Sequence, residues 1–203
     1  MDKVETIEPR ARTESEKLAD QLTMLYSRII PAELQQSPAP VNVISVASGH
    51  FVQEVPAVYK VIANPQLRAI DNSLTPGIIR MMSKEYERYP GFDMVQADAS
   101  DPENIGVANW DLAIIRNPQV GSGGSADKIN PMWRKIIVNT MAGVKPGGHL
   151  LLSSLLQPEF HGVLDLIAGT NQFDIIKKED PISPPLQTRF PMTETTIALL
   201  KKK

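Results

Sequence analysis

Five short runs of valine, isoleucine and leucine, most of them followed by a stretch of helical period, limit the folds open to this chain more than any other feature. They are "VNVISVA" from Val41, "LRAIDNS", "FDMVQADAS", "DLAIIRNP" and "HLLLSSLL". Runs this short and this continuously apolar are too uniform to expose one side to water. They fit parallel strands covered on both faces by the helices between them. The pattern changes at the end, where "FDIIKKED" and "TTIALLKKK" are separated by the proline-rich "PISPPLQTRFPM" with no helical period. Those two runs predict an antiparallel hairpin at one edge of the sheet.

The helices carry recognisable starts. "TESEKLADQLTMLYSRII" sets Leu18, Leu22, Leu25 and Ile29 on one stripe behind a capping box of Thr13 and Glu16, which predicts an amphipathic helix docked on something larger. After "IDNS", Thr75 can cap a helix whose first turn tolerates Pro76 and whose apolar face is Ile78, Ile79, Met82 and Tyr86. A third helix runs from about Pro131 through Trp133, Ile136, Ile137 and Met141 to the stop "KPGG". A chain of 203 residues is sized for one sizeable core, so residues 1–203 are expected to form a single domain, with 1–40 as an N-terminal helical extension packing on it.

Composition narrows the chemistry. With no cysteine, disulfides, zinc-thiolate sites, iron-sulfur clusters and thiol nucleophiles are excluded. The histidines are His50, His149 and His161, with no pair one helical turn apart, so no metal site is expected. Lys and Arg total 21 against 23 Asp and Glu, a formal charge of -2 that announces no basic face for nucleic acid. No apolar run approaches the roughly 18 residues of a membrane span, and the start "MDKVETIEPRARTESEK" lacks a signal-peptide core, so a cytoplasmic location is expected and no membrane partner. The oligomeric state is left open.

In an open parallel sheet the ligand crevice lies beyond the carboxyl ends of the strands. The residues there are "ASGHF" after the first strand, Asp71 and Asn72 after the second, Asp98 and Ala99 after the third, and "RNPQV" after the fourth. A small residue and a glycine at the first turn let a ligand approach backbone amides. A carboxylate ending the second strand can accept hydrogen bonds from both hydroxyls of a ribose. The glycine-rich "GSGGS" from Gly121 is followed by no Gly-Lys-Ser or Gly-Lys-Thr and reads as a loop.

From Val41 to Lys203 this order of residues resembles the class I S-adenosylmethionine-dependent methyltransferases. "VISVASGHF" is similar to the family's first motif, "IDNS" to its ribose-binding motif, "QADASD" to its adenine-binding motif and "VKPGGHLLLS" to its turn into strand five. The resemblance implies a doubly wound, mostly parallel seven-stranded α/β sheet in the order 3-2-1-4-5-7-6, strand seven antiparallel, with helices on both faces. It implies S-adenosylmethionine as cofactor, held by Ser45, Ala47, Ser48, Gly49, His50, Asp71, Asn72, Asp98 and Ala99. The motif's acidic residue falls on Ser45 and its third glycine on Phe51, which implies weaker cofactor binding than is usual in the family.

"RNPQV" resembles the Asn-Pro-Pro-aromatic motif of amino-group methyltransferases, displaced by one position, so Arg116 and Asn117 are the expected catalytic residues facing the acceptor. An arginine there suits an anionic group. Two functions stay open: transfer of a methyl group to a small acceptor, or a methyltransferase-like binding or assembly module without catalysis.

Overall fold

The computed structural model describes residues 14–47, 53–118, 120, 125–183 and 195–203. Seven strands form one sheet in the order β3-β2-β1-β4-β5-β7-β6, with β1 Val41–Val46, β2 Pro65–Asp71, β3 Asp93–Gln96, β4 Trp110–Arg116, β5 Val144–Ser154, β6 Phe173–Glu179 and β7 Thr196–Lys202. β1 pairs in parallel with β2 (Val43 beside Leu67) and with β4 (Val43 beside Leu112), and β7 runs antiparallel to both β5 and β6. The expected order, edge hairpin and antiparallel seventh strand are all present.

The central strands β1, β4, β5 and β7 are buried on both faces, which is why they read as apolar runs, whereas the edge strands β3 and β6 are largely exposed. Alternate residues of a strand point to opposite faces. On one face Val43, Leu67, Leu112, Ile114, Leu151 and Leu199 pack under helices α1 (Glu14–Ile29), α3 (Glu54–Val61) and α4 (Pro76–Glu85). On the other Ile44, Val46, Ile115, Leu150, Leu152 and Leu200 pack under α6 (Pro131–Gly143) and α7 (Gln157–Ala168). Leu18, Leu22, Leu25 and Ile29 of α1 are buried, as their spacing requires, and Tyr26 is buried beside them. Thr13 of the expected capping box lies outside the described residues. Two further helices are single turns, α2 (Ala32–Gln35) and α5 (Pro102–Ile105).

Local chemistry sets the helix starts that border the crevice. Thr75 accepts a hydrogen bond from the Ile78 amide at 3.3 Å with Pro76 in the first turn of α4, and Asn130 accepts one from the Met132 amide at 2.9 Å with Pro131 opening α6. α6 ends at Gly143 and β5 begins at once, so "KPGG" lies inside β5, where its pairing with β4 shifts register between Trp110 beside Val144 and Leu112 beside His149. Gly147 adopts φ +75°, and a Cβ on Gly148 would stand 2.9 Å from the carbonyl oxygens of both Lys145 and Trp110.

Candidate cofactor and acceptor site

A cavity of about 320 Å³ opens at the carboxyl ends of β1 to β4, where the topology reverses direction between β1 and β4. Each of these strands contributes to it. Ala47 follows β1, Asp71 ends β2 with Asn72 and Ser73 after it, Ala97, Asp98 and Ala99 follow β3, and Asn117 follows β4. Met132, Trp133 and Ile136 of α6 supply an apolar wall, to which Met132 brings a 44% exposed side chain. Two wider hollows, of about 510 and 570 Å³, lie elsewhere. One is at the opposite, amino-terminal end of the strands beside Asn42 and Arg68, and the other is between α1, α3 and α4 beside Tyr59 and Tyr89. Neither contains a strand's carboxyl end.

The two carboxylates at the cavity are fixed by their own turns. Asp71 Oδ1 accepts from the Ser73 amide at 2.8 Å and from the Ser73 hydroxyl at 2.5 Å, so it orders the turn after β2 while Thr75 caps the helix. Asp98 Oδ1 accepts from the Ser100 amide at 2.8 Å. Asp101, three residues further on, caps α5 by accepting from the Glu103 amide at 3.0 Å, and it does not line the cavity. The Asn139 side-chain amide donates to the carbonyls of Ala99 and Ser100 at 3.1 and 2.9 Å, tying this turn to α6.

Ala47 and Asn117 are the two wall residues with left-handed backbone, at φ 53° and 47°. That conformation is unfavourable for a residue with a Cβ unless its surroundings hold it. Asn117 is held on both sides. Its amide donates to the Ser153 carbonyl and its Oδ1 accepts from the Leu155 amide, each at 2.8 Å, which joins the end of β4 to the end of β5. The Pro118 carbonyl accepts from the Val120 amide at 2.9 Å.

The structure therefore gathers Ala47, Asp71, Asn72, Asp98, Ala99 and Asn117 around one cavity. Ser48, Gly49 and His50, together with Phe51 and the loop from Gly121 to Gly124, lie outside the described residues. Ser45 and Arg116 are placed differently from expectation. Both share parity with the buried residues Val43 and Ile114, so both point to the face beneath α1 and α3, and neither lines the cavity. There they meet Glu54, the first residue of α3 and fully buried. The Ser45 hydroxyl donates to Glu54 Oε1, and Arg116 Nη1 donates to Glu54 Oε2 at 2.7 Å. An arginine expected to meet an acceptor is thus engaged inside the protein. Burial, then the charges of Glu85 and Glu54, pushes the nearby Tyr86 hydroxyl above its ordinary pKa.

Glu54 was not among the expected site residues, although its position carries a signal. It stands at i, with Val58 and Val61 at i+4 and i+7, so it occupies the buried stripe of α3 and needs a polar partner there. Trp133 and Ile136 were expected only as helix residues and Met132 was not singled out; all three line the cavity because α6 crosses the crevice at its first turn and a half.

No family model matches the chain, and no curated protein matches it in sequence. Solved structures do. An O-methyltransferase family protein from Burkholderia thailandensis superposes with a TM-score of 0.61 at 12% identity, over 93% of this chain and 56% of that one. The fold is that of the class I S-adenosylmethionine-dependent methyltransferases. Magnesium protoporphyrin IX methyltransferase from Synechocystis PCC 6803, solved with its cofactor bound, gives 0.61 at 12% identity over 97% of this chain and 86% of that one. An rRNA methylase from Streptococcus thermophilus gives 0.56 at 11% identity over 97% and 98%. These methyltransferase-fold proteins differ widely in acceptor, and the present chain shares their architecture at low identity.

Proposed function

We propose that this chain is an S-adenosylmethionine-dependent methyltransferase whose acceptor is a small molecule. The observation that carries the reading is the convergence of Asp71, Asp98 and Ala47 on one cavity at the carboxyl ends of three adjacent strands, closed by an apolar wall from α6. The acceptor set suits a nucleoside. Asp71 is a carboxylate for ribose hydroxyls and Asp98 one for an adenine amino group, while Trp133 and Ile136 offer the apolar surface a base requires. The volume of about 320 Å³ lies within the range of small-molecule sites, roughly 300 to 1,000 Å³.

When bound, the cofactor's sulfonium supplies an already activated methyl group. The protein's work is then orientation, which is what a rigid set of strand ends provides. Asn117 is the wall residue on β4's side of the cavity, and with its Oδ1 engaged by Leu155 its side-chain amide is the donor left for an acceptor. The near-neutral formal charge favours a small acceptor over a polyanion, although methylases of RNA share the fold.

A binding module without catalysis is the second reading, and the inward ion pair of Arg116 favours it, because the expected anionic anchor is spent inside the protein. Titration with S-adenosylhomocysteine, followed by a search for transfer of labelled methyl groups to small molecules and RNA of a cell extract, separates the two. The enzyme binds and transfers; the module transfers to nothing.

A further inference from the structure

We infer that Glu54 is a positioning residue for the cavity, acting through Ser45 and Arg116 to hold Ala47 and Asn117 in their left-handed conformations; the cofactor arm of its test rests on the function proposed above. Glu54 touches neither wall residue in the contacts that define it. It reaches the residue two before Ala47 on β1 and the residue immediately before Asn117 on β4. One carboxylate on α3 therefore ties together the last turns of two adjacent strands, on the side of the sheet away from α6.

Stability alone is a poor account of this arrangement. Glu54 is fully buried and the Arg116 side chain is 8% exposed. A buried ion pair is on average no more stabilising than apolar side chains of the same bulk, because removing two charges from water offsets their attraction. What a buried pair does offer is a single geometry, since a carboxylate with two committed oxygens has few other places to go. The two residues that need such restraint are adjacent. Ala47 at φ 53° and Asn117 at φ 47° hold left-handed backbone, costly for alanine and less so for asparagine, and both face the cavity. On the Asn117 side the restraint has a second, observable layer, the hydrogen bonds from its own amide to Ser153 and from the Leu155 amide to its side chain.

Two variants test this. Glu54→Gln keeps the shape and removes the charge. The double variant Glu54→Leu with Arg116→Met replaces the pair by apolar bulk. In the unliganded chain, hydrogen exchange at the Asn117 and Leu155 amides is expected to speed up by about tenfold or more in both variants, with a thermal midpoint in the double variant at or above that of the wild type. The affinity for S-adenosylhomocysteine is expected to weaken by about tenfold in the same two variants. Unchanged exchange at both amides in a folded Glu54→Gln chain overturns the inference. So does loosening spread evenly over the sheet, or failure of both variants to fold, since the cluster would then support the domain as a whole. A wild-type chain that binds no S-adenosylhomocysteine refutes the proposed function instead, and the exchange measurement still decides the role of Glu54.

Discussion

Arg116 Nη1 stands 2.7 Å from Glu54 Oε2, and the two side chains are 8% and 0% exposed, so the charge at the end of β4 is neutralised within the protein rather than offered to a ligand. Arg116→Ala leaves a carboxylate buried without its counterion, a change that typically costs about 3 to 5 kcal/mol. Urea unfolding of Arg116→Ala is expected to show a loss of that order. A loss below about 1 kcal/mol, the size of an exposed pair, would place the arginine at the surface.

Asn117 has the opposite role, at the cavity wall with left-handed backbone that asparagine tolerates. Asn117→Gly keeps the left-handed turn and removes the Leu155 hydrogen bond, whereas Asn117→Ala removes that bond and adds backbone strain of roughly 1 to 2 kcal/mol. The alanine variant is therefore expected to be the less stable of the two in thermal melts. Both are expected to lose methyl transfer. Equal stability would mean that the left-handed conformation carries no strain here.

His149 gives a pH signature. It is 3% exposed on β5, and neither ring nitrogen has a hydrogen-bond partner among the described residues. Burial first, and then the charge of Lys201, lowers its pKa, against an opposing pull from Glu33 and Asp111. The unfolded chain, with an ordinary histidine pKa of about 6.5, binds the proton first, so stability is complete above that value and falls as the pH drops towards the folded pKa. His149→Leu is expected to flatten this acid limb while keeping or raising stability at pH 7. An unaltered limb in the variant would assign the effect to carboxylates.

Gly148 tests the tight start of β5. A Cβ there meets two backbone oxygens at 2.9 Å, neither of which is the end of a flexible side chain. Gly148→Ala is expected to cost about 1 to 3 kcal/mol, the usual range for overpacking, as read from denaturant unfolding. A neutral substitution would show that the β4 to β5 register, irregular between Trp110 and Leu112, has room to shift.

Much of this architecture was legible in the residues. Apolar runs of strand length separated by helical periods specify a sheet covered on both faces, and Thr75 and Pro131 mark helix starts that the structure places at the crevice. The carboxyl ends of strands point to Asp71, Asn72, Asp98, Ala99 and Asn117 as neighbours, and all five line one cavity. Direction was harder. When both faces of a sheet are buried, hydrophobic periodicity does not say which parity at a strand's end turns outward, so Arg116 was expected to face an acceptor although it points with Ile114 into the core. Glu54 carried only a faint signal, its spacing with Val58 and Val61, because a lone acid at a helix's first turn is an ordinary surface residue unless its stripe is known to be buried.

On the proposed function the cavity holds S-adenosylmethionine through Asp71 at the end of β2 and Asp98 just beyond β3. Calorimetric titration of the full chain with S-adenosylhomocysteine, repeated on folded Asp71→Ala and Asp98→Ala, tests it most directly. Saturable one-to-one binding is predicted for the wild type, weakened by about one to two decades in Asp71→Ala, since loss of a charged hydrogen-bond acceptor typically costs about 1.5 to 3 kcal/mol. Absence of binding in the wild type, or unchanged affinity in both variants, would contradict it.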